Sequence, residues 1–199
     1  LNPAEIKQIL EKKGAILHGH FKLTSGRHSD LFFQKFRVLE HPRLAQRFGE
    51  SLAEAFGRHF DVVASPAVGA VVLGFATALA ADARFVFAER DGDDMVFRRG
   101  FELGPRERTL VVEDVITTGG SAYEVVDLVR SAGAEPIGVG VLIDRGDPTK
   151  PQSFGVPVQS LLKLETTSWT PEECPLCAEG APLEEPGSRS LTTGDPFRE

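Results

Sequence analysis

The chain has 199 residues, 41% of them hydrophobic, and 22 basic against 29 acidic side chains leave a formal charge of −7. That is enough apolar material for one core with an appendage, and the acidity speaks against a protein that holds nucleic acid mainly by charge. No apolar run reaches the ~18 residues of a membrane span and no signal-peptide segment opens the sequence, so a cytoplasmic protein is expected, and two cysteines supply no disulfide framework.

Residues 3–13 predict a helix, with Asn2 as cap, Pro3 in the first turn and Gly14 as stop. Residues 19–39 mix turn signals with short apolar–polar alternations and predict a small strand-and-loop cover. A helix follows over 42–56, with Leu44, Phe48, Leu52 and Phe56 at four-residue steps. From there strands and helices alternate. Strands are expected at 61–65, 84–89, 109–114, 136–144 and 156–162. Helices are expected over 68–82, with Val72, Phe75, Ala76 and Leu79 facing in, and over 119–132, with Val125, Leu128, Val129 and Ala132 on one face. The charged stretch 90–108 reads as a mobile loop or β-flap. This alternation predicts an α/β fold, a doubly wound parallel sheet. Residues 170–199 turn polar and rich in Pro and Gly, and a loosely packed tail is expected there.

The chemistry concentrates in "VVEDVITTGG", 111–120. A buried strand ends on Glu113 and Asp114, and a loop almost without side chains, Thr117-Thr118-Gly119-Gly120-Ser121, leads into a helix. Ligands of open parallel sheets collect beyond the carboxyl ends of the strands. Free amides at the helix start favour a phosphate, and two carboxylates just before them suit sugar hydroxyls. No Gly-Lys-Ser/Thr follows the glycines, so this is not a Walker A loop, and paired acids do not belong to a dinucleotide fingerprint. The bland alternative is a polar strand end with a Gly-rich turn.

"TLVVEDVITTGGSA" (109–122) resembles the phosphoribosyl pyrophosphate (PRPP) motif of type I phosphoribosyltransferases. The resemblance implies the α/β fold of that family, a central mostly parallel sheet flanked by helices with a small N-terminal hood. Here the hood would span about 1–40 and the core about 41–169, together one domain. It implies that Glu113 and Asp114 hold the ribose hydroxyls and that Val115, Ile116 and Thr117 to Ser121 complete the PRPP site, with the 5-phosphate on Thr117 to Ser121.

Two further segments resemble the orotate phosphoribosyltransferases within that family. "FKLTSGRHSDLFFQK" (21–35) is similar to their base-covering segment, which implies that Phe32 and Phe33 touch orotate. "VLIDRG" (141–146) is similar to their strand-end Asp-Arg, which implies that Arg145 pairs with the orotate carboxylate, beside Thr117. A guanidinium fork suits a carboxylate, although a surface salt bridge is the plain alternative for Arg145. "ER…FRRGF" resembles an arginine-rich form of the family's flexible basic loop, implying that Arg90, Arg98 and Arg99 contact PRPP, Arg90 being the firmest. Two family lysines are replaced, by Thr24 and Val68, and these arginines or Lys22 are the expected substitutes.

The implied activity is transfer of phosphoribosyl from PRPP to orotate in pyrimidine biosynthesis, catalysed by Asp114, Glu113 and Arg90. Mg²⁺ is expected to arrive on PRPP without direct protein ligands. The implied assembly is a homodimer whose loop residues are shared between subunits, with neither nucleic acid nor membrane as partner. The alternatives are a purine or uracil phosphoribosyltransferase and a non-catalytic PRPP-sensing regulator. "CPLC" (174–177) offers half of a zinc site, which a second chain could complete, but unremarkable thiols are the expected reading. The histidines 18, 20, 28, 41 and 59 show no metal-ligand spacing and are expected to be surface or packing residues, with His28 near the proposed site.

Overall fold

The computed structural model describes residues 1–23, 25–146, 153–164 and 166–186. In chain order its elements are α1 (Pro3–Lys12), β1 (Ile16–Lys22), β2 (His28–Phe33), α2 (Phe36–Leu39), α3 (Pro42–Ala55), β3 (Val62–Pro66), α4 (Val71–Ala81), β4 (Arg84–Asp91), β5 (Asp94–Phe97), β6 (Arg108–Ile116), α5 (Gly120–Ser131), β7 (Glu135–Asp144), β8 (Val158–Lys163), β9 (Ser168–Trp169) and α6 (Pro175–Ala178). They fall into two compact units. One is Leu1–Ala15 with Lys35–Glu165, the other Ile16–Gln34 with Thr166–Glu199. Among the described residues no helix is long and apolar enough to cross a membrane.

The first unit holds a sheet in the order β5-β4-β3-β6-β7-β8. Every pairing is parallel except β4 with β5, which form an antiparallel hairpin. Strand alternation sends side chains to both faces. Val62, Ala64, Val86, Val111, Val139 and Val141 meet Ala122, Val125, Val126 and Val129 of α5. Helices α1, α3 and α4 also pack on the sheet. The expected mostly parallel sheet flanked by helices is present, and the hairpin β4–β5 is the flap expected after residue 90.

Local signals account for the ends of the elements. Asn2 Oδ1 accepts from the Glu5 amide at 2.9 Å while Glu5 Oε2 accepts from the Asn2 amide at 2.9 Å, a capping box that starts α1. Its Ile6 and Leu10 are fully buried, worth ~1.5–3 kcal/mol each relative to exposure.

Helix α4 corrects one expectation. Only Ala76 of the expected inward face is buried; Val72, Phe75 and Leu79 are 39%, 57% and 65% exposed, and Leu73, Gly74, Thr77 and Ala78 pack inward instead. The segment is apolar nearly all round, so periodicity does not choose its face. Close approach does: a Cβ at Gly74 would strike Ser65 Oγ and the Phe85 ring. Helix α5 likewise buries Ala122 and Val126 beside Val125 and Val129, while Ala132 is exposed.

The second unit is a sheet in the order β1-β2-β9, both pairings antiparallel. β9 pairs with β2 just before the stretch read from sequence as a loose tail (170–199), whose described part carries α6 and bonds back to the hairpin. Glu184 N donates to His20 O at 2.8 Å and Lys22 N to Glu184 O at 2.9 Å, Ser29 Oγ to Thr167 O at 3.0 Å and Arg27 Nε to Ser168 Oγ at 2.9 Å. Residues 187–199 lie outside the described residues. His20 and His28, expected among surface or packing residues, are buried within this unit.

Candidate active site

The carboxyl ends of β6 and β7 lie side by side, with Ile116 opposite Asp144, and Arg145 N donates to Ile116 O at 2.8 Å. This brings Glu113, Asp114, the loop 117–121 and Arg145 to one end of the sheet. The loop turns into α5 at Gly119, whose φ of +77° is open to glycine and strained for most other residues. Among the described residues no side chain caps that helix start, which leaves its first amides to an anion.

Glu113 and Asp114 are both buried. Burial first, and then the Asp114 charge, raise the Glu113 carboxyl well above its ordinary value, while Lys35 pulls the other way. Glu113 Oε1 accepts from the Asp114 amide at 3.0 Å. Asp114 Oδ2 lies 2.6 Å from Lys35 Nζ. Lys35, missed from sequence, closes the segment that resembles the base-covering region. It enters the site through the fold, across a long chain separation.

A cleft of about 220 Å³ is lined by Arg90, Glu113, Val115, Ile116, Thr117, Thr118, Gly119, Gly120, Ser121 and Glu124. A hollow of about 350 Å³ on the other flank of the loop shares Thr118, Gly119, Gly120 and Glu124 with it. The cleft holds the acid and the loop together, so the chemistry is placed there. Arg90 Nη2 pairs with Glu124 Oε2 at 2.6 Å and Nη1 donates to Asp93 O at 2.7 Å. Glu124 is a second residue missed from sequence; it sits one helical turn into α5, facing the arginine.

The other arginines are not brought to the cleft. Arg98 pairs with Asp91 at 2.6 Å. Arg99 forks onto Glu89 at 2.8 and 2.9 Å, holding that carboxyl below its usual range, and lies over the Phe87 ring. Arg145 is half-buried. Phe32 and Phe33 belong to the second unit, where Phe33 is buried and Phe32, half-buried, lies 5.7 Å from the Phe21 ring. Val68 is exposed between β3 and α4, and Thr24 lies outside the described residues. Lys22 is paired with Glu185 at 2.7 Å.

Residues 37–173 match the phosphoribosyl transferase domain. The chain is 48% identical over 188 residues to an orotate phosphoribosyltransferase of Caldanaerobacter subterraneus, covering 94% of this chain and 98% of that one. It is also 48% identical over 189 residues to one from Chlorobium phaeobacteroides, covering 94% and 97%. The crystal structure of orotate phosphoribosyltransferase from Aeropyrum pernix superposes with a TM-score of 0.69 at 26% identity, over 80% of this chain and 93% of that one. A chain with this motif at this strand end, this sheet and these relatives belongs to the type I phosphoribosyltransferases, in the orotate phosphoribosyltransferase family.

Proposed function

We propose that the chain transfers the phosphoribosyl group of PRPP to orotate, giving orotidine 5′-monophosphate and pyrophosphate in de novo pyrimidine (UMP) biosynthesis, as a cytoplasmic enzyme. The observation that carries this reading is the single cleft shared by Glu113, Arg90 and the whole Thr117–Ser121 loop. The loop amides and hydroxyls take the 5-phosphate, with the partial positive charge at the start of α5 behind them. Glu113 and Asp114 take the ribose hydroxyls. Orotate N1 forms its bond to ribose C1 as the C1–oxygen bond to pyrophosphate breaks; the N1 proton leaves with the departing pyrophosphate, and the configuration inverts.

Positive charge grows on the sugar and negative charge on the leaving group. Arg90 answers the second by exchanging Glu124 for pyrophosphate. Arg98 and Arg99 can join it, because their exposed ion pairs hold them only weakly. Arg145 clamps the orotate carboxylate with Thr117 beside it. Most of the rate enhancement is positioning and charge stabilisation.

The cleft offers a carboxyl and the hydroxyls of Thr117, Thr118 and Ser121 as oxygen donors, which fits Mg²⁺ brought in on phosphates with few protein ligands. Bound there, Mg²⁺ supplies neutralisation of the leaving pyrophosphate. The proposed assembly is a homodimer. The exposed stripe of Val72, Phe75 and Leu79 on α4 supports it, since a second copy would remove that apolar surface from water.

Orotate absorbance followed with PRPP and Mg²⁺, with adenine and uracil in parallel, tests the activity. Loss of orotate dependent on PRPP is expected. Turnover of adenine or uracil alone, or PRPP binding with no turnover of any base, overturns the assignment.

A further inference from the structure

The second unit is poor in buried apolar side chains. Among its described residues, the buried hydrophobic ones are Phe21, Phe33 and Cys174, and the other buried positions are His20, His28 and Ser29. A unit this small seldom closes on hydrophobic burial alone; a metal or a disulfide usually completes it. Here the interior is made of groups that ligate metals.

We propose that the second unit binds one zinc ion through His20 Nε2, His28 Nδ1, Cys174 Sγ and Cys177 Sγ, and that the ion fastens α6 to the β1–β2 hairpin. The four ligand atoms all lie within 4.8 Å of one another. His20 Nε2 is 3.0 Å from His28 Nδ1, 3.4 Å from Cys174 Sγ and 3.6 Å from Cys177 Sγ, and Cys177 Sγ is 3.2 Å from His28 Nδ1. A tetrahedron with Zn–N of ~2.0–2.1 Å and Zn–S of ~2.3 Å has edges of about 3.3–3.8 Å. Those four separations come within a few tenths of an ångström of the edges, and the other two pairs lie within 4.8 Å.

Hydrogen bonding alone does not account for this convergence. His20 Nδ1 lies 2.9 Å from Ala181 O, and a carbonyl can only accept, so Nδ1 carries the ring proton. That leaves Nε2 with one lone pair facing three neighbours at once. A single lone pair satisfies one donor; a cation at the centre satisfies all four ligands. The carbonyl behind the ring is also the usual outer partner of a metal-bound histidine, fixing its tautomer and orientation.

Two imidazoles and two thiolates in a tetrahedron select zinc over the oxygen-loving cations. Three of the four ligands are buried, which marks a closed structural site rather than one with an open position for substrate. One chain therefore supplies the whole site. The sequence offered only the Cys174–Cys177 half of it, because β1, β2 and α6, remote in sequence, come together through the β2–β9 pairing. The proposal does not rest on the transfer reaction.

The test uses the full chain, free of any affinity tag and purified under reducing conditions. Elemental analysis should find one zinc ion per chain. After its removal, Co²⁺ should give the visible bands of a tetrahedral complex and a thiolate charge-transfer band, both abolished by added Zn²⁺. Cys177→Ser and His28→Ala should lose the bound ion. A folded wild-type chain that holds no zinc and gives no such cobalt spectrum overturns the proposal, whether or not the variants fold. So does metal retained by a folded Cys174→Ser/Cys177→Ser chain, or a Cys174–Cys177 disulfide in the freshly purified protein.

Discussion

Lys35 Nζ stands 2.6 Å from Asp114 Oδ2, and Gly69 lies against the pair so closely that a Cβ there would strike both atoms. The lysine is about a third exposed while the carboxylate is almost wholly covered, so a shielded Asp114 holds a positive neighbour that still reaches water. Lys35→Met should lower kcat/KM by on the order of tenfold to a hundredfold, and Asp114→Asn by on the order of tenfold to a thousandfold with the fold kept. Because the two side chains touch, the double variant should lose less than the product of the single losses. Multiplicative losses would mean that Lys35 does not act through Asp114.

Base and PRPP recognition should separate at Arg145. Arg145→Ala removes the partner of the orotate carboxylate and should raise KM for orotate far more than KM for PRPP. Steady-state kinetics with each substrate varied in turn decides it. Equal effects on both would put the base elsewhere.

Subunit sharing can be read by mixing inactive homodimers under conditions that exchange chains. Arg90 lines the cleft of its own chain and pairs with that chain's Glu124, so mixing Arg90→Ala with Asp114→Asn should restore nothing. Arg98 and Arg99 point to other partners on the exposed hairpin and remain the residues able to cross. An Arg98→Ala/Arg99→Ala chain mixed with Asp114→Asn should recover about half of the sites in each mixed dimer, by two-fold symmetry. Recovery with Arg90→Ala would show that arginine working in trans.

Stability should carry the signature of Glu113. Burial lifts its carboxyl well above the ordinary 4.5, so the folded chain holds a proton that the unfolded chain has released. Stability from this group is complete below the ordinary glutamate value and falls as pH rises from there through the raised one. Glu113→Gln should therefore melt higher than wild type at neutral pH, and the two should converge in acid. Parallel Tm curves from about pH 4 to 9 would contradict the buried, proton-holding carboxyl.

What could be read from sequence was what neighbours decide. The strand into Glu113–Asp114 and the turn at Gly119 are contiguous, and the capping box of α1 spans Asn2 to Glu5. The inward face of α4 was not legible, because apolar residues on every side leave the choice to whichever face lets the helix approach the sheet. Lys35 was not legible either; nothing near it in sequence says that Asp114 will be its neighbour. The same holds for His20 and His28, whose spacing says nothing of the Cys174–Cys177 pair until β9 pairs with β2.

That pairing sets an order on assembly. His28 lies opposite Trp169 and Ser29 opposite Ser168, so the last described strand completes a hairpin made near the start of the chain. Closing so long a loop is entropically slow. During synthesis β2 must leave the ribosome with one edge unpaired and keep it so until nearly all of the first unit has been made. A bare strand edge invites pairing with other chains, so the interval before β9 arrives is when a nascent chain is most exposed to aggregation and most in need of a chaperone.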